Sequence, residues 1–380
     1  MRLALLLYKY FPFGGLQRDF RALALELQKR GCQCRVYCLE WQGEVLEGVE
    51  LRRVPVKGLS NHRRYQRFGE WVQADLAADP VDGVVGFNKM PGLDVYFAAD
   101  PCYAEKSAGR SWWYRRGARY RHFASSEQAV FGAGSATRIL LLSEGQRSNF
   151  QRHYHTPDKR LALLPPGVAP ERCAPEDAPA RRRRAREALG IEQQEMVLLA
   201  LGSGFATKGL DRTLQALADI RERQPAQAVS LLVVGQDKPR RFQRLAKRLD
   251  VADRVRFLGG RDDVTDLMLA SDLLVHPARS EAGGVVLLEA IVSGLPIVAT
   301  GVCGYAHHVK AARAGLLLPE PFSQDDLNRA IMRYFDGVFR ADCRESALLY
   351  ARLTDLYSMH SAGARLIEQY IAEKLEFKGG

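Results

Sequence analysis

Apolar positions along the chain fall into short continuous runs separated by stretches with helical spacing, and the runs come in two series. Residues 2–8 (RLALLLY) are short, apolar and followed by the loop KYFPFGG, which predicts a strand covered on both faces of a parallel sheet. From 16 to 30 the apolar residues Leu16, Phe20, Leu23 and Leu27 recur at helical spacing and Gly31 supplies the stop, as expected for an amphipathic helix. Further strands are predicted at 32–39, 50–56, 82–87, 94–99 and 137–142, with helical patterns between most of them. This alternation predicts a mostly parallel sheet covered by helices, in a domain ending near residue 165.

Residues 165–186, PPGVAPERCAPEDAPARRRRAR, are rich in Pro and Arg and read as a linker leading into a helix. The α/β pattern then restarts: MVLLALG is a strand, GFATKG a loop and 209–223 a helix, with strands at 229–235, 254–258, 272–276, 296–300 and 315–318. The expected fold class is therefore α/β, with two Rossmann-like doubly wound domains whose strand ends face a central cleft. The expected divisions are an N-terminal domain 1–165, a C-terminal domain 166–360, and a last helix 361–380 that crosses back to the first domain.

Composition narrows the class of partner. A chain of 380 residues, 47% apolar and 26% charged, has enough core for two folded domains. Its net charge of +11 calls for something anionic: nucleic acid, a phosphorylated saccharide or an acidic membrane face. No apolar run approaches the roughly 20 residues that span a bilayer, so neither a membrane span nor secretion is expected. Seven cysteines, an odd number, indicate reduced thiols in the cytoplasm. Cys32, Cys34 and Cys38 share one strand face and read as buried small hydrophobes rather than metal ligands.

The densest chemistry lies in PARSEAGGVVLLEAIVSGLPIVAT, residues 277–300. A strand ends in a polar loop carrying Glu281, Gly283 and Gly284 open a helix at Val285, and Glu289 follows in its first turns. Small residues at a helix start let backbone N–H groups approach a diphosphate, which the helix dipole also favours. A carboxylate before that turn suits sugar hydroxyls, and one just inside the helix suits a ribose. A second loop, GSGFATKG (202–209), places Lys208 where its charge would meet a leaving diphosphate. In the first loop, Gly14 and Gly15 permit close approach of a ligand, and Asp19 would orient a sugar hydroxyl. Asp100 ends the strand DVYFAAD and is expected at the same edge. Nothing resembles an Asp-x-Asp metal element, so no metal or other cofactor is expected.

The spacing of Glu281 and Glu289 is similar to the E-x7-E motif of family 4 glycosyltransferases, which have the GT-B fold. The resemblance implies that Glu281 lies by the donor sugar and Glu289 by the nucleotide ribose. Many members carry an Arg just after the first glycine of the second loop; here that position is Ser203, and Arg172 is the candidate for the missing cation. The stretches LYKYFPFGGLQRDF, VVGFNKMPGLDVYFAAD, VVGQDKPR and VCGYAHH resemble the bacterial lipopolysaccharide core glucosyltransferases that act on inner-core heptose. That resemblance implies UDP-glucose as donor, a lipopolysaccharide core acceptor, an α-linked product and retention at the anomeric carbon. The alternatives are another UDP-sugar transferase, a GT-B epimerase or phosphorylase, and a non-catalytic membrane scaffold that binds nucleotide sugar.

Residues 103–131 mix Trp112, Trp113, Tyr114 and Tyr120 with Arg110, Arg115, Arg116, Arg119 and Arg121. Interfacial aromatics beside arginines predict docking on an anionic membrane surface, with Arg63, Arg64 and Arg67 extending the patch. No nucleic-acid motif accompanies it, so nucleic acid is not expected as a partner. The expected location is cytoplasmic, peripheral on the inner face of the cytoplasmic membrane.

Overall fold

Each of the two strand series forms its own parallel sheet. In the computed structural model, which describes residues 1–12 and 14–379, the first sheet has seven strands. They are Arg2–Leu6 (β1), Gln33–Cys38 (β2), Val49–Arg53 (β3), Gly83–Gly86 (β4), Val95–Ala98 (β5), Arg138–Leu141 (β6) and Leu161–Leu163 (β7). Their spatial order is β3-β2-β1-β4-β5-β6-β7. The period of two in a strand divides β1 between the faces. Leu3 and Leu5 pack with Leu23 and Leu27 of the helix Gly15–Lys29, while Ala4 and Leu6 pack with Phe68 and Val72 of the helix Asn61–Ala78. Burial on both faces explains why the strand reads as an unbroken apolar run.

The second sheet has six strands, Met196–Leu201 (β8), Val229–Val234 (β9), Val255–Gly259 (β10), Leu273–His276 (β11), Ile297–Thr300 (β12) and Gly315–Leu318 (β13), in the order β10-β9-β8-β11-β12-β13. Val197 and Leu199 face one apolar cluster and Leu198 the other. In each sheet the strand order reverses once, beside β1 and beside β8, which is the doubly wound arrangement.

The chain divides into two compact units, Met1–Pro165 with Ser358–Gly380, and Pro166–Tyr357. The last helix, Met359–Gly379, belongs to the first unit. Its Ala364, Ile367 and Ile371 are fully buried in the cluster that holds Leu23 and Val85. A Cβ at position 83 would stand 2.4 Å from the Ile371 side chain, so Gly83 makes room for it. Polar ties flank the packed stripe: Lys374 Nζ is 2.6 Å from Asp94 Oδ2 and Arg30 Nη1 3.0 Å from Glu368 Oε2.

Three sequence expectations need correction. The strand Leu161–Leu163 was not anticipated, because three residues are too few to show a period. The stretch 165–186 is not a solvated linker throughout. Its arginines from 181 onward sit on the helix Ala178–Ala188, where Arg181 pairs with Asp266 at 2.7 Å and Arg182 with Asp272 at 2.7 Å. Arg186, fully buried, donates to the carbonyls of Ala270 and Glu195 at 2.8 and 2.6 Å. Arg64 is taken up by an ion pair with Glu40 rather than offered to a surface patch. Cys32, Cys34 and Cys38 lie in one apolar cluster with free thiols, and burial pushes Cys34 up to about 12.

All four tryptophans, at 41, 71, 112 and 113, lie in the first unit. Ile371→Ala should therefore lower the stability reported by tryptophan fluorescence in urea by about 2–4 kcal/mol, the range for truncating a buried aliphatic side chain. An unchanged midpoint would show that the last helix adds nothing to that core.

Candidate functional site

In the second unit, β8 and β11 are the neighbours at which the strand order turns, and both send loops from their carboxyl ends. Open α/β sheets bind ligands at such a switch point. The loop after β8 runs from Gly202 to Gly209, and the loop after β11 from Pro277 to Gly284.

The two loops are locked together. Gly209 has φ +76°, and a Cβ there would lie 2.1 Å from the Pro277 carbonyl oxygen, so only glycine allows this approach. Arg212 Nη1 donates to the same carbonyl at 3.0 Å. From the other loop, the Arg279 N–H donates to Thr207 O at 2.8 Å, and its guanidinium grips the Asp211 carboxylate through two bonds of 2.8 and 2.6 Å. A two-point arginine–carboxylate pair fixes orientation as well as distance.

Lys208 is thereby set against Glu281, with its Nζ in ion-pair contact with Glu281 Oε2. Burial lowers the Lys208 pKa to about 8, and Cys303 works in the opposite direction. His276, the last residue of β11, is buried, and its Nε2 lies 3.6 Å from Glu281 Oε2. Burial, then the charge of Lys208, hold His276 neutral with a pKa near 3. Gly284, at φ +86°, gives way to Glu281 and Cys303: a Cβ there would meet Glu281 Cγ at 3.2 Å and Cys303 Cβ at 3.3 Å.

Behind Gly284 the helix Val285–Ser293 carries Glu289, 3% exposed, with Oε1 3.5 Å from Arg172 Nε. Arg172 ends the short turn Pro170–Arg172 and is held there because Ser293 Oγ donates to its carbonyl at 2.9 Å. Gly283 is buried, and its carbonyl accepts from Tyr305 N at 2.8 Å. Ser203 is exposed, and its hydroxyl accepts from Gln236 N at 3.1 Å, joining the loops after β8 and β9. Of the residues predicted from the second half, Lys208 thus pairs with Glu281 and Arg172 with Glu289, while Ser203 joins neither pair.

The first-half candidates are arranged differently. Phe13, in the first loop, lies outside the described residues. Gly14 precedes the helix Gly15–Lys29 with an ordinary φ of −86°, and a Cβ on it would strike Gln17 Oε1 at 1.8 Å, while Gly15 faces open space. Neither adopts the left-handed backbone that would require glycine. Asp19 is buried, its Oδ1 3.1 Å from His360 Nε2, so it ties the first helix to the last. Asp100 is exposed just beyond β5, and its charge adds to burial and Tyr65 in raising the pKa of Tyr8.

The basic aromatic segment is solvent-facing. Trp112 and Trp113, 51% and 69% exposed, stack at 3.7 Å, and the Arg116 guanidinium lies 4.4 Å from the Trp112 ring. Arg110, Arg115, Arg116, Arg119 and Arg121 are exposed, and none is in an ion pair among the described residues. Arg115 is steadied by the Ala108 carbonyl. Inside, Glu127 is fully buried and accepts from Tyr103 N at 2.8 Å and Ala104 N at 2.9 Å, anchoring the start of the segment to its last helix.

Sequence reasoning missed Arg279, Asp211, His276 and Cys303. His276 left a visible signal, a polar residue closing the apolar strand DLLVH; the others reveal themselves only once the loops are folded. Among the described residues no group of three or more His, Cys, Asp or Glu is placed to hold a metal ion. Among the described residues no helix is long and apolar enough to cross a membrane.

Comparison with known proteins fits this geometry. Residues 181–348 match the family described as glycosyl transferases group 1, and residues 13–172 match glycosyltransferase family 4. The lipopolysaccharide glucosyltransferase WaaG of Escherichia coli K12 is 48% identical over 369 residues, covering 97% of this chain and 98% of that protein. A crystal structure of WaaG superposes with a TM-score of 0.93 at 48% identity, over 96% of this chain and 99% of that one. Anabaena HepE in complex with UDP-glucose, 20% identical, shares the fold at a TM-score of 0.73 over 99% of each chain. The chain belongs to glycosyltransferase family 4 and is a hexosyltransferase built on the GT-B fold.

Proposed function

We propose that the protein transfers glucose from UDP-glucose to an inner-core heptose of lipopolysaccharide, forming an α-linkage with retention at the anomeric carbon. The pairing of Lys208 with Glu281 at the switch point carries this reading, because it sets one cation and one carboxylate where a nucleotide diphosphate sugar needs both. The 48% identity to WaaG supports the choice of glucose and of the lipopolysaccharide acceptor.

In this reading the Lys208 ammonium meets the diphosphate and stabilises the charge that grows as the bond from the anomeric carbon to the phosphate oxygen breaks. Backbone N–H groups at the start of the helix after Gly284 and the Arg172 guanidinium share that charge. Glu281 orients the sugar through its hydroxyls, and Glu289 accepts from the ribose. Retention follows from attack on the face the phosphate leaves: the acceptor oxygen bonds to the anomeric carbon while the acceptor proton passes to the departing phosphate oxygen. No carboxylate among the residues at the site is assigned as a nucleophile. Asp100 is assigned a supporting role toward the acceptor by its exposure at a strand end, while Asp19, buried against His360, holds the first helix to the last.

Docking on the inner face of the cytoplasmic membrane falls to the segment from Arg110 to Arg121. Its stacked tryptophans and unpaired arginines suit a layer of anionic headgroups.

Lys208→Ala and Glu281→Ala should each lower kcat with truncated lipopolysaccharide by on the order of 100-fold or more, about 3 kcal/mol of transition-state stabilisation. Wild-type turnover in either would remove that side chain from the mechanism. Transfer should continue in excess EDTA, and its loss, restored by a divalent ion, would overturn the assignment of the charge to Lys208 and Arg172. Reversing Arg115, Arg116 and Arg119 to Glu together should abolish sedimentation with vesicles containing phosphatidylglycerol, with neutral vesicles bound by neither protein. Equal binding to both vesicle types would refute docking by this segment.

A further inference from the structure

His276 has no part in the mechanism above, yet it reaches the centre of it. It is 1% exposed, fixed at the end of a strand whose four residues are all buried, and its Nε2 has no hydrogen-bond partner among the described residues. It faces Glu281 Oε2, 3.6 Å away, the atom that Lys208 contacts as an ion pair. A buried imidazole nitrogen without a partner, facing a carboxylate oxygen just beyond bonding range, is uncommon in folded proteins. His276 and Lys208 both line a cavity of about 10 Å³, with Gly202, Phe205 and Val275 among its other walls.

The reading of the donor grip makes a demand on this corner. Lys208 cannot give its full charge to an incoming diphosphate and also remain the partner of Glu281. When the ammonium turns to the phosphates, the Glu281 carboxylate is left in a buried place without its cation, at the moment when it must hold the sugar still. We propose that His276 is a positioning residue for Glu281: as Lys208 turns to the diphosphate, the His276 Nε2–H donates to Glu281 Oε2 and keeps the carboxylate aimed at the donor sugar. A neutral imidazole suits this task, since it supplies a donor without adding a second cation that would compete for the diphosphate. Its seat on a strand rather than on the loop makes it the fixed member of the trio, and Lys208 the moving one.

The inference rests on the assignment of Glu281 to the sugar and Lys208 to the diphosphate, and the test separates the two. His276→Phe keeps the ring and removes the donor, His276→Gln restores a side-chain N–H, and both are compared with Glu281→Ala and with the double variant His276→Phe/Glu281→Ala. The measured quantities are kcat/KM for UDP-glucose with truncated lipopolysaccharide and Kd for UDP alone, which has no sugar for Glu281 to hold. His276→Phe should lose about tenfold or more in kcat/KM, as expected when a hydrogen bond to a charged group is removed. UDP affinity should stay within about twofold of wild type, a split that general damage to the site would not produce. His276→Gln should recover most of the loss, and the double variant should be no worse than Glu281→Ala. Wild-type turnover by His276→Phe, a parallel fall in UDP affinity, or multiplied losses in the double variant would each overturn the role of His276. Wild-type turnover by Glu281→Ala would sink the donor-grip reading, and this inference with it.

Discussion

The chemistry of the second unit depends on how closely two loops approach at the carboxyl ends of β8 and β11. That approach is set at Gly209, where any side chain would collide with the Pro277 carbonyl. With the backbones in contact, Arg212 and Arg279 reach across, and the bidentate hold on Asp211 removes the remaining freedom of the pair. Lys208 and Glu281, 73 residues apart in sequence, then have no choice but to meet. Their meeting beside the buried, neutral His276 follows from a backbone contact in which neither of their side chains takes part.

Much of the fold was legible because buried parallel strands announce themselves as unbroken apolar runs. The twelve runs marked in the sequence fall on twelve of the strands with boundary differences of up to three residues, and the strands that went unseen are the three-residue Leu161–Leu163 and the two-residue Lys9–Tyr10 and Glu40–Trp41. The candidate site was legible where chemistry and backbone geometry coincide in one short stretch, as in the segment from Pro277 to Thr300. It was not legible where a partner comes from far along the chain. Nothing near Asp19 points to His360, and Arg172, though picked out as a candidate cation, carries no local sign that it docks beside Glu289.

Charge shows the same division. The run Arg181–Arg184 is the densest cluster of cations in the sequence, yet Arg181 and Arg182 are taken up by Asp266 and Asp272, Arg184 pairs with Asp177, and Arg186 just beyond the run is fully buried. The arginines between 110 and 121 are more scattered along the chain but remain outside every ion pair among the described residues. Density in sequence is thus a poor guide to which cations are offered to a partner. Whether a carboxylate lies across from each one decides it, and that is a property of packing.

The return of the last helix to the first unit has a consequence for the order in which the protein can be made. In translation order the second unit is complete at residue 357, while the core of the first unit still lacks Ala364, Ile367 and Ile371. The unit that is begun first is finished last. Until the closing segment is translated, the apolar stripe around Leu23 and Val85 stays open to water, and contacts of such wide sequence separation form slowly. The nascent first unit therefore keeps a hydrophobic groove uncovered while the whole of the second unit is being synthesised.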